Sequence, residues 1–226
     1  MIAGERLTLK RTGELKKKNL IVGVAGRKGS GKSEVVRLVG ESCNRWFCFD
    51  TMAEHLWIPD RADNAEDAAW YLLDTAATRD TFHGSYIATG DDLEGDFISI
   101  SDAVYDAGNL TYCVEEIPMM STPGHLPKKF DKVVRTGRHE NVNVVYTCQR
   151  LSECAVRLRA ATDVFILFNH SEPRDLEAIS ERCTLEVATA VNQLGEHDFL
   201  IWDVGQRKIV ALKELTGVIL PRFQTS

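Results

Sequence analysis

Eight consecutive residues have the types and spacing to grip a polyphosphate. Gly26-Arg27-Lys28-Gly29-Ser30-Gly31-Lys32-Ser33 fits the pattern GxxxxGK[ST] without a gap. The glycines let the backbone curl so that successive N–H groups point inward at phosphate oxygens. A helix opening directly after the loop adds its positive end. Lys32 can reach the β- and γ-phosphates, and the Ser33 hydroxyl can ligate Mg²⁺, which neutralises charge developing in phosphoryl transfer. This P-loop, or Walker A, pattern has meaning only between a strand and a helix. Both are predicted: Leu20 to Ala25 is a short β-rich apolar run, and Val35, Val36, Leu38 and Val39 fall at helical spacing after Ser33. The expected ligands are ATP and Mg²⁺.

Such a loop needs acids to organise the ion and polarise water. Leu110 to Val114 reads as a strand closed by Glu115-Glu116, a Walker B arrangement. Glu115 is the expected ion-side acid with Ser33, and Glu116 the general base orienting the attacking water. The first position is Glu rather than the usual Asp, and its extra methylene moves the carboxylate about one bond nearer the ion. Asp50, closing the predicted strand Trp46 to Phe49, competes for the role. So does the cluster Asp91-Asp92-Glu94-Asp96, which reads as a polar loop. Gln149 follows the predicted strand Val142 to Thr147, where its amide would report the γ-phosphate.

The elements that must position these residues alternate. Helices are predicted over 65–80, Phe97 to Ala107, Leu151 to Ala161, Pro173 to Ile179 and Leu185 to Leu194. Val164 to Phe168 is a strand, and Phe199 to Asp203 with Lys208 to Leu212 forms a hairpin around Val204-Gly205-Gln206. Strands alternating with helices imply an α/β fold: a three-layer α/β/α P-loop NTPase with a mainly parallel central sheet and an antiparallel C-terminal hairpin. The expected division is an N-terminal extension at 1–18, the ATPase domain at 19–215 and a C-terminal tail at 216–226.

Composition narrows the class. The chain has 226 residues, 44% apolar and 27% charged, with net charge −6. That excludes collagen-like and wholly disordered chains and a generally basic nucleic-acid coat. No apolar run approaches the ~20 residues that cross a bilayer, and the charged N-terminus is not a signal peptide. The six cysteines form no CxxC and read as reduced, buried thiols. Charge is uneven. Asp50 to Glu116 holds sixteen acids against Arg61 and Arg79, whereas Lys128 to Arg159 holds eight bases against three acids. An acidic half and a basic band suit a chain that meets its own copies, or a polyanion.

Gly26 to Ser33, Glu115-Glu116, Gly137-Arg138-His139 and Thr147-Cys148-Gln149-Arg150, in this order, resemble the FtsK–HerA superfamily of ring-forming DNA-pumping ATPases. In that family an arginine precedes a strand ending in a T-Q-R-like signature; here one residue is inserted between Thr147 and Gln149. The stretch His170 to Ile179, the closing Asp198 to Asp203 and the chain length look closest to the genome-packaging ATPases of tailless icosahedral viruses with an internal membrane. The resemblance covers roughly 19–213. It implies a homo-oligomeric ring, hexamer or pentamer, that moves double-stranded DNA into a capsid. Gln149 would be the polar sensor and Arg138 an arginine finger reaching a neighbour's γ-phosphate, with Arg135 and Arg150 as alternatives. Capsid or internal-membrane vertex proteins would dock the motor. The protein would be soluble, in host cytoplasm or at the packaging vertex of the virion. Lys128-Lys129-Lys132, after a mobile stretch from Pro118 to Pro127, would line a pore tracking phosphates, and the back of the basic band would face the neighbour's acidic half. Two other readings share the P-loop: a small-molecule kinase with a lid in 61–96, and a nucleotide-binding assembly or secretion factor.

Overall fold

The computed structural model describes residues 19–88 and 90–213. The proposed extension at 1–18 and tail at 216–226 lie outside them. A sheet of nine strands runs through the molecule in the order β3-β4-β2-β5-β6-β1-β7-β8-β9. These are β1 (Ile21–Ala25), β2 (Arg45–Asp50), β3 (Asp60–Ala62), β4 (Phe82–Ile87), β5 (Leu110–Val114), β6 (Val142–Cys148), β7 (Val164–Phe168), β8 (Phe199–Asp203) and β9 (Lys208–Lys213). The seven from β3 to β7 pair in parallel, and β8 and β9 add an antiparallel edge.

β1, β2, β5, β6 and β7 are buried along their whole length, as parallel strands covered on both faces must be. Successive side chains alternate between two cores. Phe47, Phe49, Tyr112, Val114 and Tyr146 face one, and Val22, Val24, Trp46, Cys48 and Val145 the other. The first core is roofed by α2 (Ala65–Thr78), α3 (Leu93–Ala107), α4 (Lys128–Thr136), α5 (Val156–Ala161), α6 (Pro173–Arg182) and α7 (Leu185–Asn192). Its centre is aromatic, with Phe97 5.1 Å from Phe49 and 5.0 Å from Phe130. Among the described residues the second core is covered more thinly, by α1 (Lys32–Glu41), Cys43 and the loop residues Trp57 and Ile58.

Gly23 shows how closely the central strands are set. A Cβ there would lie 2.5 Å from the hydroxyl of Tyr146, its register partner on β6, and that hydroxyl is bonded to Thr162 Oγ1 at 2.8 Å. Gly23→Ala is expected to cost about 1–3 kcal/mol by overpacking, read as a lower urea midpoint at unchanged slope.

Most predicted elements are present within a few residues. β3 and β4 were not expected: glycine and polar residues interrupt the apolar run of Phe82 to Ile87, and only pairing with β2 and β3 makes it a strand. Three expectations are corrected. The acidic cluster is loop only through Asp92. Asp92 caps α3 by accepting from Gly95 N–H at 2.9 Å, and Glu94 and Asp96 lie in the first turn, where the helix dipole favours carboxylates. The stretch from Pro118 to Pro127 is not featureless: a 3₁₀ turn at Ile117–Met119 buries Ile117, and Thr122 and His125 exchange two backbone hydrogen bonds of 3.0 Å. The helix expected over Leu151 to Ala161 breaks at Cys154, because Asp175 holds Ser152 by its N–H (3.1 Å) and its hydroxyl (2.6 Å). All six cysteines are free, and five are buried.

Candidate nucleotide-binding site

β1 delivers the chain to Gly26, whose N–H bonds Cys148 O at 3.1 Å. Gly29 and Gly31 take φ of +79° and +106°, so the loop turns in a way that side-chain-bearing residues resist. Gly31 then opens α1, whose first N–H groups have no helical acceptors. Lys32 Nζ folds back over the loop, donating to Gly26 O (2.7 Å) and Arg27 O (3.2 Å), and sits 3.6 Å from Glu116 Oε1. Lys28 projects to solvent, Arg27 bonds Ser171 Oγ, and the buried Ser30 hydroxyl has no hydrogen-bond partner.

The sheet order explains why the acids meet this loop. β6 alone separates β1 from β5. Glu116, just past β5, has φ +44° and ψ +57°, a left-handed conformation that costs a side-chain-bearing residue of order 1 kcal/mol or more. The Thr147 hydroxyl, on β6 and fully buried, holds it there by accepting the Glu116 N–H at 2.9 Å. Thr147→Val strands that N–H at a cost of about 1–3 kcal/mol and frees Glu116 to relax. The expected result is a kcat loss of about tenfold with KM unchanged, and recovery in Thr147→Ser.

Glu115 points elsewhere. It is 3% exposed, with Oε1 2.9 Å from His55 Nε2, an ion-pair distance but off the hydrogen-bond line. Burial pushes the Glu115 carboxyl above its usual range; His55 opposes the shift and Asp50 adds to it. Burial also opposes charge on His55, but Glu115 and the nearby Asp50 and Glu54 outweigh it and raise the imidazole. The acid on Ser33 is Glu54, whose Oε2 accepts the Ser33 hydroxyl at 2.8 Å. Asp50 organises that loop by accepting the N–H groups of Met52 (3.1 Å), Glu54 (3.3 Å) and His55 (3.1 Å). The oxygen donors around Ser33 and the cationic loop suit a hard divalent ion bound with phosphate.

Gln149 is exposed at the tip of β6, beside the loop. With Arg27, His170, Ser171 and Glu172 it lines a cleft of ≈ 310 Å³. His170 donates from Nδ1 to Phe168 O (2.9 Å), and burial pulls its pKa down. Arg150 is held by Asp175 at 3.1 Å, and Arg135 and Arg157 share Asp131 at 3.2 and 2.9 Å. Lys129 reaches Asp102 at 2.6 Å and Lys132 sits 3.6 Å over the Tyr105 ring, so these two residues of the basic band tie α4 to α3. Lys128 and Arg138 remain exposed, without ion pairs among the described residues. Arg138 lies in a 3₁₀ turn at the N-terminal end of β6. The P-loop is at the C-terminal end of β1, so a seven-residue strand, roughly 20 Å, separates the two.

The sequence motifs led to the loop, Glu115-Glu116 and Gln149. Glu54 and His55 carried no motif, and Thr147 was part of a signature without a role of its own. Only the parallel pairing of β2 with β5 puts the loop after Asp50 on the site.

A parallel sheet carrying this loop, with acids two strands away, defines a P-loop NTPase fold. The sequence matches no protein family profile and no curated protein. Solved structures are similar in fold. The genome packaging NTPase B204 from Sulfolobus turreted icosahedral virus 2, in complex with sulfate, aligns at TM-score 0.72 and 20% identity over 87% of this chain and 96% of that one. Its complex with ATP-γS aligns at TM-score 0.71 and 19% identity over 88% and 99%. VirB4 of Thermoanaerobacter pseudethanolicus aligns at TM-score 0.58 and 12% identity over 90% and 91%. These likenesses, at 12–20% identity, show that the chain shares this fold.

Proposed function

We propose that the protein is a Mg²⁺-dependent ATPase that works as a homo-oligomeric ring and moves double-stranded DNA in viral genome packaging. One observation carries the reading. Lys32, Glu116 and Thr147 converge on a single phosphate loop with Gln149 beside it, while Arg138, exposed and without an ion pair among the described residues, lies just before the opposite end of β6, out of reach of its own loop. Lys32 binds the β- and γ-phosphates, the α1 N-terminus and loop N–H groups hold their oxygens, and Glu116 orients the attacking water. Ser33, with Glu115 or Glu54, would hold Mg²⁺, which supplies charge neutralisation. Gln149 senses the terminal phosphate. B204 from Sulfolobus turreted icosahedral virus is described as a DNA-packaging ATPase, which supports DNA as the cargo. A capsid or vertex protein would dock the ring, in host cytoplasm or virion. No helix among the described residues is long and apolar enough to cross a membrane.

The kinase reading loses its lid, since much of 61–96 is built into the sheet and its helices as β3, α2 and β4. The test is ATPase rate with and without duplex DNA, on material whose mass is set by light scattering. DNA stimulation of an oligomer supports the motor. Turnover only with a nucleoside or sugar acceptor supports the kinase, and nucleotide binding without turnover supports an assembly factor.

A further inference from the structure

The two residues expected at Mg²⁺ are both touched by one loop, and by neighbours within it. Glu54 accepts the Ser33 hydroxyl at 2.8 Å, and His55 Nε2 stands 2.9 Å from Glu115 Oε1. We propose that Glu54 and His55 complete the divalent-cation site, Glu54 as a further carboxylate at Ser33 and His55 as the positioning residue that orients Glu115. The inference rests on the nucleotide-site reading above.

The loop is built to hold these two side chains. Asp50, 2% exposed, ties down Met52, Glu54 and His55 through three backbone N–H groups, so both residues leave a fixed backbone. Trp57 fixes the imidazole. Its indole N–H points at His55 Nδ1 at 3.4 Å, and because indole only donates, Nδ1 is the accepting nitrogen and Nε2 is the one that faces Glu115. Trp57 is braced in turn against Trp46, 6.2 Å between centroids, and against α1, where a Cβ on Gly40 would lie 2.3 Å from its ring. Thr51 holds the other side, its hydroxyl 3.3 Å from the Glu115 carbonyl. Glu115 Oε2 is buried beside Asp50 and has no hydrogen-bond partner, so His55 is the group that faces the other carboxylate oxygen.

Asp50, His55 and Glu115 also lie close enough to suggest a separate transition-metal site, each offering a ligand atom within 4.8 Å of the others. The Trp57 contact argues against it. A metal-bound imidazole donates from its second nitrogen, whereas here that nitrogen faces a donor. The same geometry suits a histidine that orients a carboxylate. It also gives the longer Glu115 a reason, since the extra methylene lets the acid reach His55.

The test uses the full chain and Mn²⁺ as probe. Free Mn²⁺ is read by EPR in the presence of ADP, and a fluorescent ATP analogue is titrated separately in EDTA. Outer-shell partners of metal ligands typically contribute 10–100-fold in metal affinity. Glu54→Gln and His55→Phe are therefore expected to weaken Mn²⁺ by about 10–100-fold while metal-free nucleotide affinity stays at the wild-type value. His55→Gln, whose amide can face Glu115 with an N–H as the imidazole Nε2 does, recovers most of the loss. Unchanged or tighter Mn²⁺ binding in Glu54→Gln overturns the inference, the second because it makes Glu54 a competitor of the ion. Equal losses with and without metal also overturn it, as general damage to the loop. Glu54 is exposed, so its variant keeps the test valid if His55→Phe does not fold. A wild-type protein that binds neither Mn²⁺ nor nucleotide refutes the nucleotide site itself.

Discussion

Glu116→Gln is expected to lower kcat by about 10²–10⁴, the usual contribution of a positioned general base, and to leave ATP bound. The carboxylate sits 3.6 Å from Lys32 Nζ, on a residue held in a left-handed turn by Thr147. Glutamine keeps the size and the backbone bond but cannot take a proton. It also removes the negative charge beside Lys32, so the lysine meets the phosphates with less competition and nucleotide affinity holds or rises. Single-turnover hydrolysis and equilibrium binding of a fluorescent ATP analogue separate these effects. Near-normal turnover would move the base to Glu115 or Glu54.

Arg138→Ala is expected to be at least as severe. Arginine fingers contribute about 10³–10⁵ in rate, and the strand length puts Arg138 roughly 20 Å from its own phosphate loop. Any contribution to hydrolysis must therefore come from a neighbour. The decisive experiment mixes two inactive variants. In a ring that exchanges subunits, Arg138→Ala protomers supply intact P-loops and Lys32→Ala protomers supply intact fingers, so some interfaces regain both. Recovered ATPase activity in the mixture supports the shared site. No recovery, in mixtures shown by mass to have exchanged, assigns Arg138 another role. Arg150 and Arg135 are weaker alternatives, each already engaged by a buried or nearly buried aspartate on its own chain.

The phosphate loop was legible because its chemistry is local: eight adjacent residues carry the glycines, the lysine and the hydroxyl. The strands were legible where burial on both faces makes them continuous apolar runs, as in Val164 to Phe168. β4 escaped because Gly84 and Ser85 break that run, and its partner β2 lies more than thirty residues away in sequence. For the same reason Glu54 and His55 were invisible as site residues. Nothing in Thr51 to Ile58 signals chemistry until β2 and β5 pair and bring their ends together. The basic band misled in part. Counting lysines and arginines shows net charge, but not that Lys129, Lys132, Arg135 and Arg157 are committed to contacts inside the fold.

β6 has two working ends. Thr147 and Gln149 stand at one, over the chain's own phosphates, and Arg138 stands just before the other. Hydrogen-bonded on both sides and buried throughout, it has little room to bend, so it should behave as a stiff strut. In the proposed ring, a shift at one tip when phosphate leaves would be felt at the other, inside the adjoining pocket. Phosphate release in one subunit would then bias the adjoining one to fire next, giving the ring a preferred circular order of turnover.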